Sequence, residues 1–87
     1  MYPVGTPQQL RTILRTLRQS RGLTQAQLGQ LLGVSQKRIA RIEAAPERTA
    51  FDQVARMVLA MGGQLLIEDK SAIRAIEAGS ADDTPDW

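Results

Sequence analysis

Apolar residues recur along this chain in three blocks with helical spacing, followed by one block that breaks the period. In the first, Leu10, Ile13, Leu14 and Leu17 fall at i, i+3, i+4 and i+7, the single apolar face of an amphipathic helix. Thr6-Pro7-Gln8-Gln9 marks its start: a Thr cap, Pro at the first helical position and Gln three residues after the cap. The helix is expected to run to about Ser20, with Met1 to Gly5 as a loose arm before it. The second block holds Leu28, Leu31, Leu32, Val34, Ile39 and Ile42, the positions by which two short helices can grip each other. Their hinge is Gly33-Val34-Ser35. Thr24 with Gln27, and Ser35, are cap-type residues that start helices, and Gly33 is the residue type that ends one.

The third block follows the loop Ala44-Ala45-Pro46-Glu47-Arg48, which Pro46 breaks. Thr49 is expected to cap a further helix, with Asp52 favourably placed in its first turn. Phe51, Val54, Val58 and Met61 keep helical spacing with Met57 and Leu59 flanking, so Phe51 and both Met residues are expected in the core. Gly62-Gly63 ends that helix. The period then changes. Gln64-Leu65-Leu66-Ile67-Glu68-Asp69 has three consecutive apolar residues between glycines and charges, and reads as a strand. A lone strand in a helical chain needs a partner for its backbone groups, and the same strand of a second copy, antiparallel across a two-fold axis, is the economical one. A broken helix through residues 64–78 is the alternative. Ser71 to Ala78 forms a further short helix ended by Gly79, and Ser80 to Trp87 is expected to be a disordered acidic tail.

This pattern describes an all-α helix-turn-helix domain of four to five helices, with one C-terminal strand pairing across a homodimer. Residues 1–69 form the DNA-binding and dimerisation domain, and residues 70–87 a short helix and tail. Eighty-seven residues make one small domain. With neither Cys nor His, the chain has no disulfide, no thiolate or imidazole metal ligand and no His-based acid–base chemistry, so no enzyme activity, metal or cofactor is expected. It lacks both an apolar run of about 18 residues and a charged start followed by an apolar core, which points to a soluble cytoplasmic protein.

The net charge of +2 conceals an asymmetry. Residues 1–56 carry nine Lys or Arg against three acids, a net +6, whereas residues 57–87 carry two against six, a net −4. No acid precedes Glu43. A basic body with an acidic tail suggests nucleic acid at one end and another partner, or none, at the other. On the helix after the hinge, the residues not needed for packing are Gln36, Lys37, Arg38 and Arg41, long and hydrogen-bonding, as the DNA major groove requires. Gln36 can bond bidentately to adenine; Lys37 and Arg41 suit guanine O6 and N7. Arg11, Arg15 and Arg18 form a second basic stripe, which is either a solvated face or, at Arg15, a phosphate contact.

The stretch from Thr24 to Glu43 resembles the helix-turn-helix of the phage-repressor (XRE-like) family, whose usual pattern is close to T-Q-x-x-L-A-x-x-x-G-V-S-x-x-x-I-S-x-x-E. Thr24, Gln25, Leu28, Gly33, Val34, Ser35, Ile39 and Glu43 fit it. Gly29 departs where Ala is usual and Ala40 where Ser is common; Gly inside a helix costs about 1 kcal/mol relative to Ala, so the second helix is expected to be weakened. The resemblance puts Gln25 against a phosphate at the start of that helix, has Ser35, Gln36, Lys37 and Arg41 face the groove with Arg38 nearer the backbone, and pairs Arg18 with Glu43 in a structural role.

Within that family the chain is similar to the HipB-like antitoxins, partners of HipA-like serine/threonine kinase toxins. The likeness rests on size, the Thr6-Pro7-x-x-Leu10 start, the Pro-containing loop before Thr49, the strand after the fourth helix and an acidic tail ending in Trp87. It covers residues 6–69 well. It implies a homodimer joined partly by a strand pair, a repressor of its own operon and an inhibitor of the kinase. Trp87 is then a docking anchor on the toxin, or else the dangling end of the tail. A stand-alone repressor without a toxin partner, and a protein-interaction module without DNA binding, are the competing readings.

Overall fold

The computed structural model describes residues 1–69, and in them four α-helices and a short 3-10 turn. Helix α1, Pro7–Ser20, begins as its sequence dictates. The Thr6 hydroxyl accepts from the Gln9 amide (3.1 Å), while the Gln9 side chain accepts from the amides of Thr6 (3.1 Å) and Gly5. Helix α2, Gln25–Leu32, repeats the device: Thr24 accepts from the Gln27 amide at 3.1 Å, and Gln27 accepts from the Thr24 amide at 2.9 Å. Gly33 closes α2 in the left-handed region (φ 71°), and the Val34 amide reaches back to the Gly29 carbonyl at 2.8 Å. Ser35 then caps α3, Gln36–Ala44, by accepting from the Arg38 amide at 3.1 Å.

The start of the last helix differs from expectation. Helix α4, Phe51–Ala60, begins at Ala50 with no side-chain cap. Thr49 stands one residue too early: its hydroxyl donates instead to the Ala45 carbonyl (3.2 Å), fastening the 3-10 turn Pro46–Arg48 that leads into α4. Asp52 does sit in the first turn of α4.

Leu14, Leu28, Ile39, Ile42, Val54, Met57, Val58 and Met61 form the core, with Leu10, Leu17, Leu23 and Leu32 packed against it. Each helix thus contributes the stripe its spacing marks out. Phe51 does not join it. At 100° per residue Phe51 lies on the same line of α4 as Val58, but two turns nearer the start, beyond where the core ends at Val54; it is 74% exposed. Leu31 is likewise 62% exposed, so the grip between α2 and α3 rests on Leu28, Ile39 and Ile42, with Leu32 beside them.

Gly29 is a close contact and not merely a weak helix residue. A Cβ there would lie 2.6 Å from the Val34 carbonyl oxygen, so in this chain the turn closes onto bare backbone. A second tie fixes α3 against α1. Arg18 Nε donates to Glu43 Oε2 at 2.6 Å and Nη2 to Oε1 at 3.3 Å, while Nη1 donates to the Leu23 carbonyl at 2.9 Å. The pair is largely out of solvent, in keeping with the structural role the family resemblance assigns it.

Residues 63–69 follow α4 without forming a helix or a strand. The strand expected over 64–69 is therefore not formed within one chain, and the physical reason is plain: a ladder needs a second strand, and there is none among the described residues. The short helix expected from Ser71 and the acidic tail with Trp87 lie outside the described residues.

Candidate nucleic-acid interface

Three buried residues of α3 set the direction of all the others. Ile39 and Ile42 face the core and Glu43 faces Arg18. At 100° per residue, Lys37 and Arg41 stand within about 30° of the point opposite that buried arc. Both are exposed, and among the described residues neither side chain has a hydrogen-bond partner. Gln36 is exposed on one flank. Arg38 occupies the other, half-buried, with its guanidinium donating to the Gln53 side chain of α4. The two arginines of this helix are thus in different states: Arg41 is free to swing, and Arg38 is anchored.

Gln25 and Ser35 stand at the two helix starts. Gln25 is the first residue of α2 and half-buried. The Ser35 hydroxyl holds the Arg38 amide, which leaves its own proton available to an acceptor outside. The structure therefore gathers Ser35, Gln36, Lys37, Arg38 and Arg41 on and before one nine-residue helix, with Gln25 on the preceding one. Trp87 lies outside the described residues.

The outer side of α3 carries cations and no exposed acid. The first turns of α1, α2 and α3 contain no acid, so the positive ends of these helices are not neutralised from within. Glu43, the first acid in the chain, is buried against Arg18, and the first exposed carboxylate is that of Glu47. Two residues that sequence reasoning passed over belong here. Arg48, on the 3-10 turn, joins Arg38 and Arg41 around a groove of about 510 Å³ that also takes in Gln53. A basic residue after a loop-breaking Pro was the available signal for Arg48; Gln53 had none, because only the fold brings α4 beside α3. Arg15 is exposed on α1, and Arg11 is half-buried with its Nε out of solvent and without a partner.

A helix that carries unpartnered cationic and amide side chains and no exposed carboxylate of its own suits a polyanion that presents hydrogen-bonding edges. No helix among the described residues is long and apolar enough to cross a membrane. A family model described as a helix-turn-helix domain matches residues 9–64, which span α1 to the end of α4. Neither the curated proteins nor the solved structures compared with the chain give a match.

Proposed function

The chain belongs to the helix-turn-helix domain family, and on that premise we propose that it is a sequence-specific DNA-binding repressor acting as the antitoxin of a HipA-like kinase toxin. DNA-binding regulation is what this family implies. Sequence-specific DNA binding is supported by one observation: Lys37 and Arg41 project from α3 directly away from the core, and α3 itself carries no exposed carboxylate; the antitoxin role rests on the resemblance to HipB-like antitoxins. In this reading α3 enters the major groove. Ser35, Gln36, Lys37 and Arg41 face the groove, Gln25 meets a phosphate at its rim, and Arg38, held by Gln53, stays close to the backbone.

The repressor acts as a homodimer through residues 64–69, whose backbone groups at 64–68 make no hydrogen bond to another described residue. Two copies related by a two-fold axis then meet an inverted repeat with half-sites about one helical turn (~34 Å) apart, or a multiple of it. The toxin contact includes Trp87, as the resemblance to HipB-like antitoxins suggests.

The test is binding to the DNA upstream of the gene. Lys37→Ala and Arg41→Ala each lower operator affinity by roughly 1–3 kcal/mol and relax preference at one base position per half-site. Equal affinity for operator and random DNA at physiological salt rules the repressor out. Truncation after Gly79 leaves operator binding intact and weakens kinase binding by about 1–3 kcal/mol. If no kinase-sized chain copurifies from native cells, the stand-alone repressor is the better reading.

A further inference from the structure

Among the described residues, six of the ten exposed large apolar side chains, those of Met1, Tyr2, Val4, Leu65, Leu66 and Ile67, form one surface. It is made by the two segments that flank the helical body, Met1–Gly5 and residues 63–69. Between Met1, Tyr2 and Val4 on one side and Leu66, Ile67 and Glu68 on the other runs a groove of about 540 Å³. A second groove of about 270 Å³ adjoins it, with Ile13, Leu17 and Val58 in its floor and Tyr2, Val4 and Leu66 again in its walls. Ile67 is 99% exposed, Met1 91%, Leu66 63% and Tyr2 51%.

We infer that the Met1–Val4 arm is half of a self-docking surface, and that a second copy of this chain lays its own 64–68 segment between the arm and residues 66–68 of the first. The inference rests on the homodimer proposed above and adds the arm to it. Four observations favour a second copy as the occupant. A two-fold contact requires one patch to be donor and acceptor at once, and here the projecting segment and the groove adjoin on the same face. The backbone of 64–68 makes no hydrogen bond to another described residue, so the occupant that gains most is another peptide chain. Glu68 is the one charged side chain lining the outer groove, which holds no Lys or Arg and so offers nucleic acid little. Area agrees as well. Fully burying an aliphatic side chain removes roughly 60–120 Å² from water, so the exposed parts of Met1, Tyr2, Val4, Leu65, Leu66 and Ile67 supply about 240–470 Å², the apolar centre of an interface that averages ~800 Å² per partner.

The test uses the full chain. Sedimentation equilibrium of the unaltered protein is compared with Tyr2→Asp, Val4→Asp and Ile67→Asp, and with Leu31→Asp as the exposed apolar residue of α2. All four positions are at least half exposed in the single chain, and far-UV circular dichroism verifies that helicity is kept. The first three variants raise the dimer dissociation constant tenfold or more, and Leu31→Asp leaves it unchanged. Because the chain has no cysteine, mixing the Val4→Cys and Ile67→Cys proteins under oxidation gives a cross-linked pair, which Leu31→Cys does not form with either. A dimer weakened by Ile67→Asp but indifferent to Tyr2→Asp and Val4→Asp, with no mixed cross-link, overturns the arm's role and leaves the homodimer standing. An unaltered protein that is monomeric at tens of micromolar overturns both, and equal weakening by Leu31→Asp overturns the assignment to this face.

Discussion

Glu43 shows how a single residue can serve geometry more than charge. Its carboxylate is buried and held by two guanidinium bonds from Arg18, which also grips the Leu23 carbonyl ahead of α2. Removing one partner leaves the other charge buried and uncompensated, so Glu43→Ala is expected to cost roughly 3–5 kcal/mol, read from the urea unfolding midpoint. Replacing both, as Arg18→Met with Glu43→Leu, recovers much of that loss because no charge is stranded. If the double variant is no more stable than Glu43→Ala, the pair is not the source of the effect. Gly29 makes a comparable point about backbone. With the Val34 carbonyl only 2.6 Å from a notional Cβ, Gly29→Val must push α3 away from α2. It should destabilise the fold by well over the few tenths of a kcal/mol that the helix propensity of Val over Gly could return, and lower thermal denaturation temperature accordingly.

At the scale of elements, what was legible in the sequence is what local chemistry determines. The starts of α1, α2 and α3 were, because each cap bonds to an amide three residues away and needs nothing distant. The left-handed end of α2 at Gly33 was too. Periodicity, by contrast, gives a direction around a helix but not how far the core extends along it, which is why Phe51 emerged exposed; Leu31 is exposed because it lies on the side of Leu28 away from Gly29 and Leu32, which face the core. Residues 64–69 could not be settled from one chain, since a strand is defined by its neighbour. In the candidate interface, the outward placement of Lys37 and Arg41 followed from their distance around the helix from Ile39 and Ile42. The Arg38–Gln53 bond and Arg48 depended on α4 folding back, which no local pattern announces. The contrast between two threonines tests this account. Thr24→Ala is expected to cost about 1 kcal/mol through its lost cap, whereas Thr49→Ala, which caps nothing, should cost less than half as much in the same denaturation assay.

For the whole molecule, the +6 carried by residues 1–56 and the absence of any exposed acid before Glu47 should make the proposed operator binding strongly ionic. If the dimer neutralises about six to ten phosphates, its affinity should fall by roughly 10³–10⁵ between about 50 and 200 mM salt. Arg15→Ala should flatten that dependence while leaving base preference alone, and an unchanged slope would remove Arg15 from the contact. The uneven distribution of caps has a kinetic counterpart. Helices α1, α2 and α3 each carry a start signal of their own, but α4 begins at Ala50 without one and owes its order to seating Val54, Met57, Val58 and Met61. Such an element consolidates late. Val58→Ala should then accelerate unfolding and scarcely slow refolding, while Leu28→Ala, beneath a self-starting helix, slows refolding as well. On that expected order, the segment that follows α4 is tethered to the last helix to form and the first to let go, so copies caught during synthesis should have their middle helices in place before residues 63–69 have an anchor.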